Sequence, residues 1–159
     1  MAQIDKNTVK ADNQLGKRTY ITFENENNGG IRVLFVGNSI TRHAPKEEIG
    51  WLNDWGMAAS SKDKDYVHVL EAKILKIKPD AEFCITQAAG WETVYKNGDE
   101  KLEDYAQARD FDADIIVIRL IENCPHKDFE SNAFEIQYRK FVEYFNKSGK
   151  ASIVVTTGF

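Results

Sequence analysis

The chain is expected to fold as an α/β protein, a three-layer α/β/α sandwich around a mainly parallel sheet. Three observations predict this. The β-branched runs at Ile31–Val36 and Asp114–Ile121 are largely apolar, with Ile31, Val33, Leu34, Phe35 and Val36 in the first and Ile115–Ile118 in the second, as suits central parallel strands buried on both faces. Between and after them lie stretches of helical periodicity, and the alternation of the two patterns is that of strand–helix–strand units. The length of 159 residues suits one domain with a sizeable single core.

Taken in order, Met1–Leu15 is polar and unpatterned and reads as a loose arm. Lys17–Glu24 alternates, with Tyr20 and Phe23 among Thr and Ile, and suggests a short strand or an N-terminal addition, so residues 1–30 stand apart from a main domain over 31–159. Asn25–Gly30 is turn chemistry leading into the first central strand. Residues 40–61 hold Pro45, Gly50, Trp51, Trp55 and Gly56, which rules out one regular helix and suggests a long aromatic loop beside the strand end. From Asp65, a reasonable N-cap, Val67, Leu70, Ile74 and Ile77 recur at helical spacing until Pro79. Glu82–Gln87 reads as the second strand, followed by the small residues Ala88, Ala89 and Gly90. Glu100–Arg109 is expected as a helix, and Ser131–Ser148 as the clearest amphipathic one, with Gly149 as its stop. Ala151–Thr157 supplies the fourth strand.

Composition narrows the function classes. Hydrophobic residues are 42% and charged residues 29%, within the ordinary globular range. A net charge of −4 and a pI near 5.4 give no general attraction to polyphosphate, which argues against nucleic acid as a partner. No apolar run approaches the roughly 18 residues of a membrane span. Without an apolar leader in Met1–Lys17, a cytoplasmic location is the default expectation, unless a leader has been removed. Cys84 and Cys124 lack metal-motif spacing and are expected as buried thiols; no cofactor or metal is expected.

The chemistry centres on Gly37-Asn38-Ser39. A strand, a glycine and a serine lift a hydroxyl above the carboxyl end of a sheet, where open α/β folds keep their sites. Two other readings stand beside a nucleophile: Ser39 as a helix N-cap, and the loop as a phosphate cradle built on backbone N–H groups. Right-handed crossovers would bring Ser39, Ala88–Gly90, Asn123 and Thr157-Gly158 to one rim.

Gly37-Asn38-Ser39-Ile40 after one buried strand and Asn123 after another resemble the SGNH (GDSL-like) hydrolases. The longer stretch from Gly37 to His68, with Thr41-Arg42-His43, Gly50-Trp51, Trp55-Gly56-Met57 and Lys64-Asp65-Tyr66-Val67-His68, is similar to one bacterial branch. The resemblance covers residues 31–159 and implies a flavodoxin-like sandwich and a serine esterase. The acyl or acetyl ester substrate would be a small molecule or a carbohydrate. It implies Ser39 as nucleophile, with Gly90 and Asn123 completing an oxyanion hole, and it makes His43 a pocket or packing residue. Trp91 and Glu92, just after Gly90, are candidates to touch substrate.

Several positions depart from the family. Its Gly-x-Asn-Asp reads Ile121-Glu122-Asn123-Cys124, and its second block reads Gln87-Ala88-Ala89-Gly90. The family's base is the histidine of an Asp-x-x-His after its fifth strand, and no Asp-x-x-His is expected anywhere in this chain, which stops after its fourth strand. His126, beyond Asn123, is then the best stand-in among the histidines, and His68 is expected as a structural hydrogen-bonder. The chain is accordingly expected to be a fragment whose bare edge strand favours self-association into a homo-oligomer. The alternative function is a non-catalytic flavodoxin-like module that binds an anion or nucleotide.

Overall fold

The computed structural model describes residues 20–157, so the arm expected at Met1–Leu15 and the rim position of Gly158 lie outside the described residues. The strands are β1 (Tyr20–Glu24), β2 (Arg32–Gly37), β3 (Glu82–Gln87), β4 (Ile115–Arg119) and β5 (Ser152–Val155). They form one mixed sheet in the order β1-β3-β2-β4-β5. β3, β2, β4 and β5 run parallel, while β1 pairs antiparallel with β3. The helices are α1 (Tyr66–Leu75), α2 (Ala89–Thr93), α3 (Ala106–Asp110) and α4 (Ser131–Phe145). None of the described helices is long and apolar enough to cross a membrane.

The pleat sends alternate residues of each strand to opposite faces, and both faces are apolar because both are covered. Val33, Phe35, Phe83 and Ile85 pack with Val67 and with Leu70 and Ile74 of α1. Leu34, Val36, Cys84, Ile116 and Ile118 meet Trp91, Tyr95, Tyr105, Phe141 and Phe145 on the other side. The aromatic character of this second layer comes largely from α4, whose Phe141 lies 4.5 Å from the Trp91 ring. Burying one such ring contributes roughly 1.5–3 kcal/mol, so this layer dominates the core.

β1 is more than an appendage: Tyr20–Glu24 is an edge strand of the same sheet. The turn behind it is tied to β3, with Glu82 Oε1 accepting the N–H groups of Asn28 and Gly29 at 2.7 and 2.8 Å. The helix expected at Glu100–Arg109 is instead a 3-10 segment, Tyr95–Tyr105, followed by the short α3. Close packing explains this. Gly98 sits so near Trp91 that a Cβ there would be 2.4 Å from the indole Nε1, and the backbone bends out of helical geometry at Asn97 to reach it. Asp65 caps α1 as expected, accepting the His68 N–H at 2.8 Å.

Candidate functional site

The parallel register aligns the strand ends that matter. Gly37 is opposite Gln87 on one side and Arg119 on the other, so the segments after β2, β3 and β4 leave the sheet at one level. These segments carry Ser39, Gly90 and Asn123 to a single rim. Gly37 is required there for space. A Cβ would lie 1.8 Å from Thr41 Oγ1 and 2.6 Å from the Arg119 carbonyl oxygen.

No helix follows Ser39, and the N-cap reading falls with it. The chain makes one turn closed on Asn38, whose carbonyl accepts the N–H groups of Thr41 and Arg42 at 3.0 and 3.2 Å. The Asn38 side-chain oxygen takes the Ile40 N–H at 3.1 Å. Ser39 is half-buried at the tip, and its carbonyl accepts the Met57 N–H at 2.8 Å. Among the described residues its own N–H and hydroxyl make no hydrogen bond, which leaves both for a ligand.

The three segments are joined by Glu92, a carboxylate with no solvent exposure. Its Oε2 accepts from the Asn123 amide at 2.6 Å, and its Oε1 accepts from the Ile121 N–H at 2.5 Å and from the Asn38 amide at 3.2 Å. The Asn38 amide also donates to Glu122 at 2.6 Å, and Glu122 pairs with Arg119 at 2.7 Å. Ile121 has φ +126°, rare for a β-branched residue and costing of order 1–3 kcal/mol. The Glu92 bond is what holds that backbone, and with it the placement of Asn123.

Two expectations change here. Trp91 and Glu92 were expected against substrate, but both are fully buried: α2 turns their side chains inward, Trp91 into the α4 aromatics and Glu92 beneath the rim. Gly90 is buried in the first turn of α2, where N–H groups have no intrahelical acceptor. Asn123 is exposed, with one of its two amide protons committed to Glu92.

The histidines lie elsewhere. His43 is half-buried, its Nδ1 2.6 Å from the Ala44 carbonyl, and its backbone carbonyl accepts the Trp51 indole N–H at 3.1 Å. Trp51 and Trp55 stack edge to face at 5.7 Å within the loop. His126 is exposed. His68 belongs to an Asp-x-x-His spacing that the chain does contain, Asp65 to His68, placed before β3 instead of after the last strand. The pair is formed, with Nδ1 and Asp65 Oδ2 2.7 Å apart, but His68 Nε2 faces Glu24, at 3.7 Å, within a buried charge cluster. The described residues give no histidine hydrogen-bonded to Ser39.

That cluster is strongly coupled. Arg42, 4% exposed, bridges Glu24 at 2.7 Å and Asp54 at 2.9 Å. Neighbouring His68, with Arg42 and Lys62, holds Glu24 down to about 2 against the opposing effect of burial. Burial works against a charged His68, yet the Asp65 and Glu24 carboxylates outweigh it and push it up to about 9. Burial, then the Glu24 charge, pushes Glu71 up to about 7. Cys84 and Cys124 are free buried thiols, each pushed up to about 12 by burial.

A separate groove lined by Phe134, Tyr138, Val142 and Val155 lies between α4 and the end of β5 and includes none of the rim residues. Comparison with protein-family models, with curated proteins and with solved structures finds no match to this chain.

Proposed function

We propose that the protein is a serine ester hydrolase of the SGNH type, with Ser39 as nucleophile and an oxyanion hole made by the N–H of Ser39, the N–H of Gly90 and the side-chain amide of Asn123. The observation that carries the reading is the shared carboxylate of Glu92, which ties Asn38, beside Ser39, to Asn123 across two strand ends. Attack of the Ser39 hydroxyl on an ester carbonyl makes a tetrahedral oxyanion. Donors fixed where that charge develops lower the barrier by roughly 3–4 kcal/mol each. The seryl oxygen forms the new bond, its proton passes to a base, and the alcohol leaves with the acyl–oxygen electron pair. His126, exposed three residues beyond Asn123, is the histidine this reading takes as the base, and His126→Ala is the substitution that tests it. The substrate class, an acyl ester of a small molecule or carbohydrate, rests on the sequence resemblance.

The competing anion-binding module needs several free N–H groups in the loop. Those of Ile40, Thr41 and Arg42 are all satisfied by Asn38, and only that of Ser39 is left, which suits one oxyanion better than a phosphate. A fluorophosphonate probe is expected to label Ser39 and to leave Ser39→Ala unlabelled. In a turnover assay on short acyl esters, Asn123→Ala is expected to lose roughly a hundredfold or more in kcat. Equal labelling of wild type and Ser39→Ala, or absence of label together with phosphate or flavin binding, would overturn the reading.

A further inference from the structure

On the α1 face of the sheet, Glu24 at the end of β1 meets His68 and Glu71 of α1. His68 and Glu71 are three residues apart and so share one helix face. One ligand atom from each of the three lies within 4.8 Å of the others. His68 is 8% exposed and Glu71 6%; Glu71 Oε1 has no hydrogen-bond partner, and His68 Nε2 has none within hydrogen-bond distance, its nearest charge being Glu24 Oε1 at 3.7 Å. A buried carboxylate oxygen with nothing to accept from is costly, and natural proteins rarely keep one without a use.

We propose that Glu24, His68 and Glu71 bind a single divalent first-row metal ion of the zinc type. Each part of the arrangement fits. Asp65 Oδ2 accepts from His68 Nδ1 at 2.7 Å and so keeps the proton on Nδ1, and a metal that displaces the Nε2 proton meets the Nε2 lone pair, with the carboxylate behind the ring as is common for a ligating histidine. Asp65 is itself held by the N–H groups of Gly56 and His68 at 3.1 and 2.8 Å. Arg42 and Lys62 both contact Oε1 of Glu24, at 2.7 and 3.3 Å, so Oε2 keeps its lone pairs. With His68 neutral and Glu71 ionised, as metal binding requires, the four carboxylates of Glu24, Asp54, Asp65 and Glu71 outnumber the cations Arg42 and Lys62 by two charges, which one divalent ion offsets. One imidazole nitrogen and two carboxylate oxygens suit zinc, with water completing the coordination. The cysteines take no part, and the ligands come from two elements far apart in sequence, so no motif announces the site.

This inference stands apart from the esterase reading. Full-length protein stripped with EDTA and desalted is titrated with Zn²⁺ by calorimetry and with Co²⁺ by visible absorption. One ion per chain is expected, with a dissociation constant on the order of 1 µM or tighter and no thiolate charge-transfer band. His68→Gln and Glu71→Gln are each expected to weaken binding at least about tenfold, with circular dichroism showing the fold retained, while Ser39→Ala binds as wild type. X-ray absorption at the zinc edge of the wild-type complex needs no variant to fold, and should show one imidazole among oxygen ligands. Absence of saturable binding, binding undiminished in both variants, or sulfur or a second imidazole in the coordination shell would overturn the proposal.

Discussion

Glu92 and Glu71 are both buried glutamates, yet their surroundings are opposite. Glu92 receives the Asn38 amide, the Ile121 N–H and the Asn123 amide, whereas Glu71 lies on the α1 face with Oε1 accepting nothing. A charge taken out of water is tolerated when directed N–H groups replace its hydration, and the donors that do so become fixed in turn. Glu92 therefore organises backbone and side chains around the rim. Glu71 can only be relieved, by a proton, a cation or removal.

The contrast predicts opposite signs for two substitutions. Glu92→Ala strands its donors in the protein interior and is expected to cost about 3–5 kcal/mol, read from urea denaturation. A loss under about 1 kcal/mol would show that the Glu92 bonds do little to hold the rim.

Glu71→Gln is expected to stabilise metal-stripped protein at pH 8, by an amount of order 2 kcal/mol. The sign follows from the raised value: Glu71 is pushed up to about 7 in the folded protein, above the ordinary glutamate value. Its protonated form is thus favoured by folding, and the associated stability is fully present below about pH 4.5 and lost as pH rises through 7. His68, raised to about 9, adds a loss of the same sign between about pH 6.5 and 9, while Glu24, lowered to about 2, acts only in acid, losing stability as pH falls through that value. Thermal melts of stripped wild type should therefore fall between pH 5 and 8, and those of Glu71→Gln should be flatter. Identical profiles would remove the distinction between the two glutamates. The smallest effect is expected at Ser39, whose half-buried hydroxyl has no partner among the described residues: Ser39→Ala should leave stability within about 0.5 kcal/mol.

What the sequence made legible was what local pattern controls. β3 spans Glu82–Gln87 as read, and the apolar runs of β2 and β4 are the central strands, because burial on both faces writes itself into consecutive residues. The shared rim followed from parallel topology. Glu92 was misread because its importance lies in partners 29 to 54 residues distant, and nothing in the neighbourhood of a buried Trp91 marks the next residue as a hub. Asp65 to His68 had the spacing of a cap and of a catalytic pair alike, and only position in the fold separates them. The 3-10 path of Tyr95–Tyr105 was hidden for a similar reason: tertiary contact with Trp91 overrides an amphipathic pattern.

The pairing of β1 with β3, skipping β2, has a consequence in time. The first of the described strands to be synthesised has no partner until Glu82–Gln87 emerges, some seconds later at roughly 5–20 residues per second. Until then Tyr20–Glu24 waits as an open edge, and Glu24 is absent from the charge cluster it completes. Closing that loop late also places its entropic cost after the β2–β3–β4 core has formed. In pulsed hydrogen exchange during refolding, the amides of Ile21 and Phe23 should gain protection after those of Leu34 and Ile116, and simultaneous protection would argue against this order. Among the described strands, the oldest on the ribosome is thus the youngest in the fold, and the buried charges beneath it meet only at the final step.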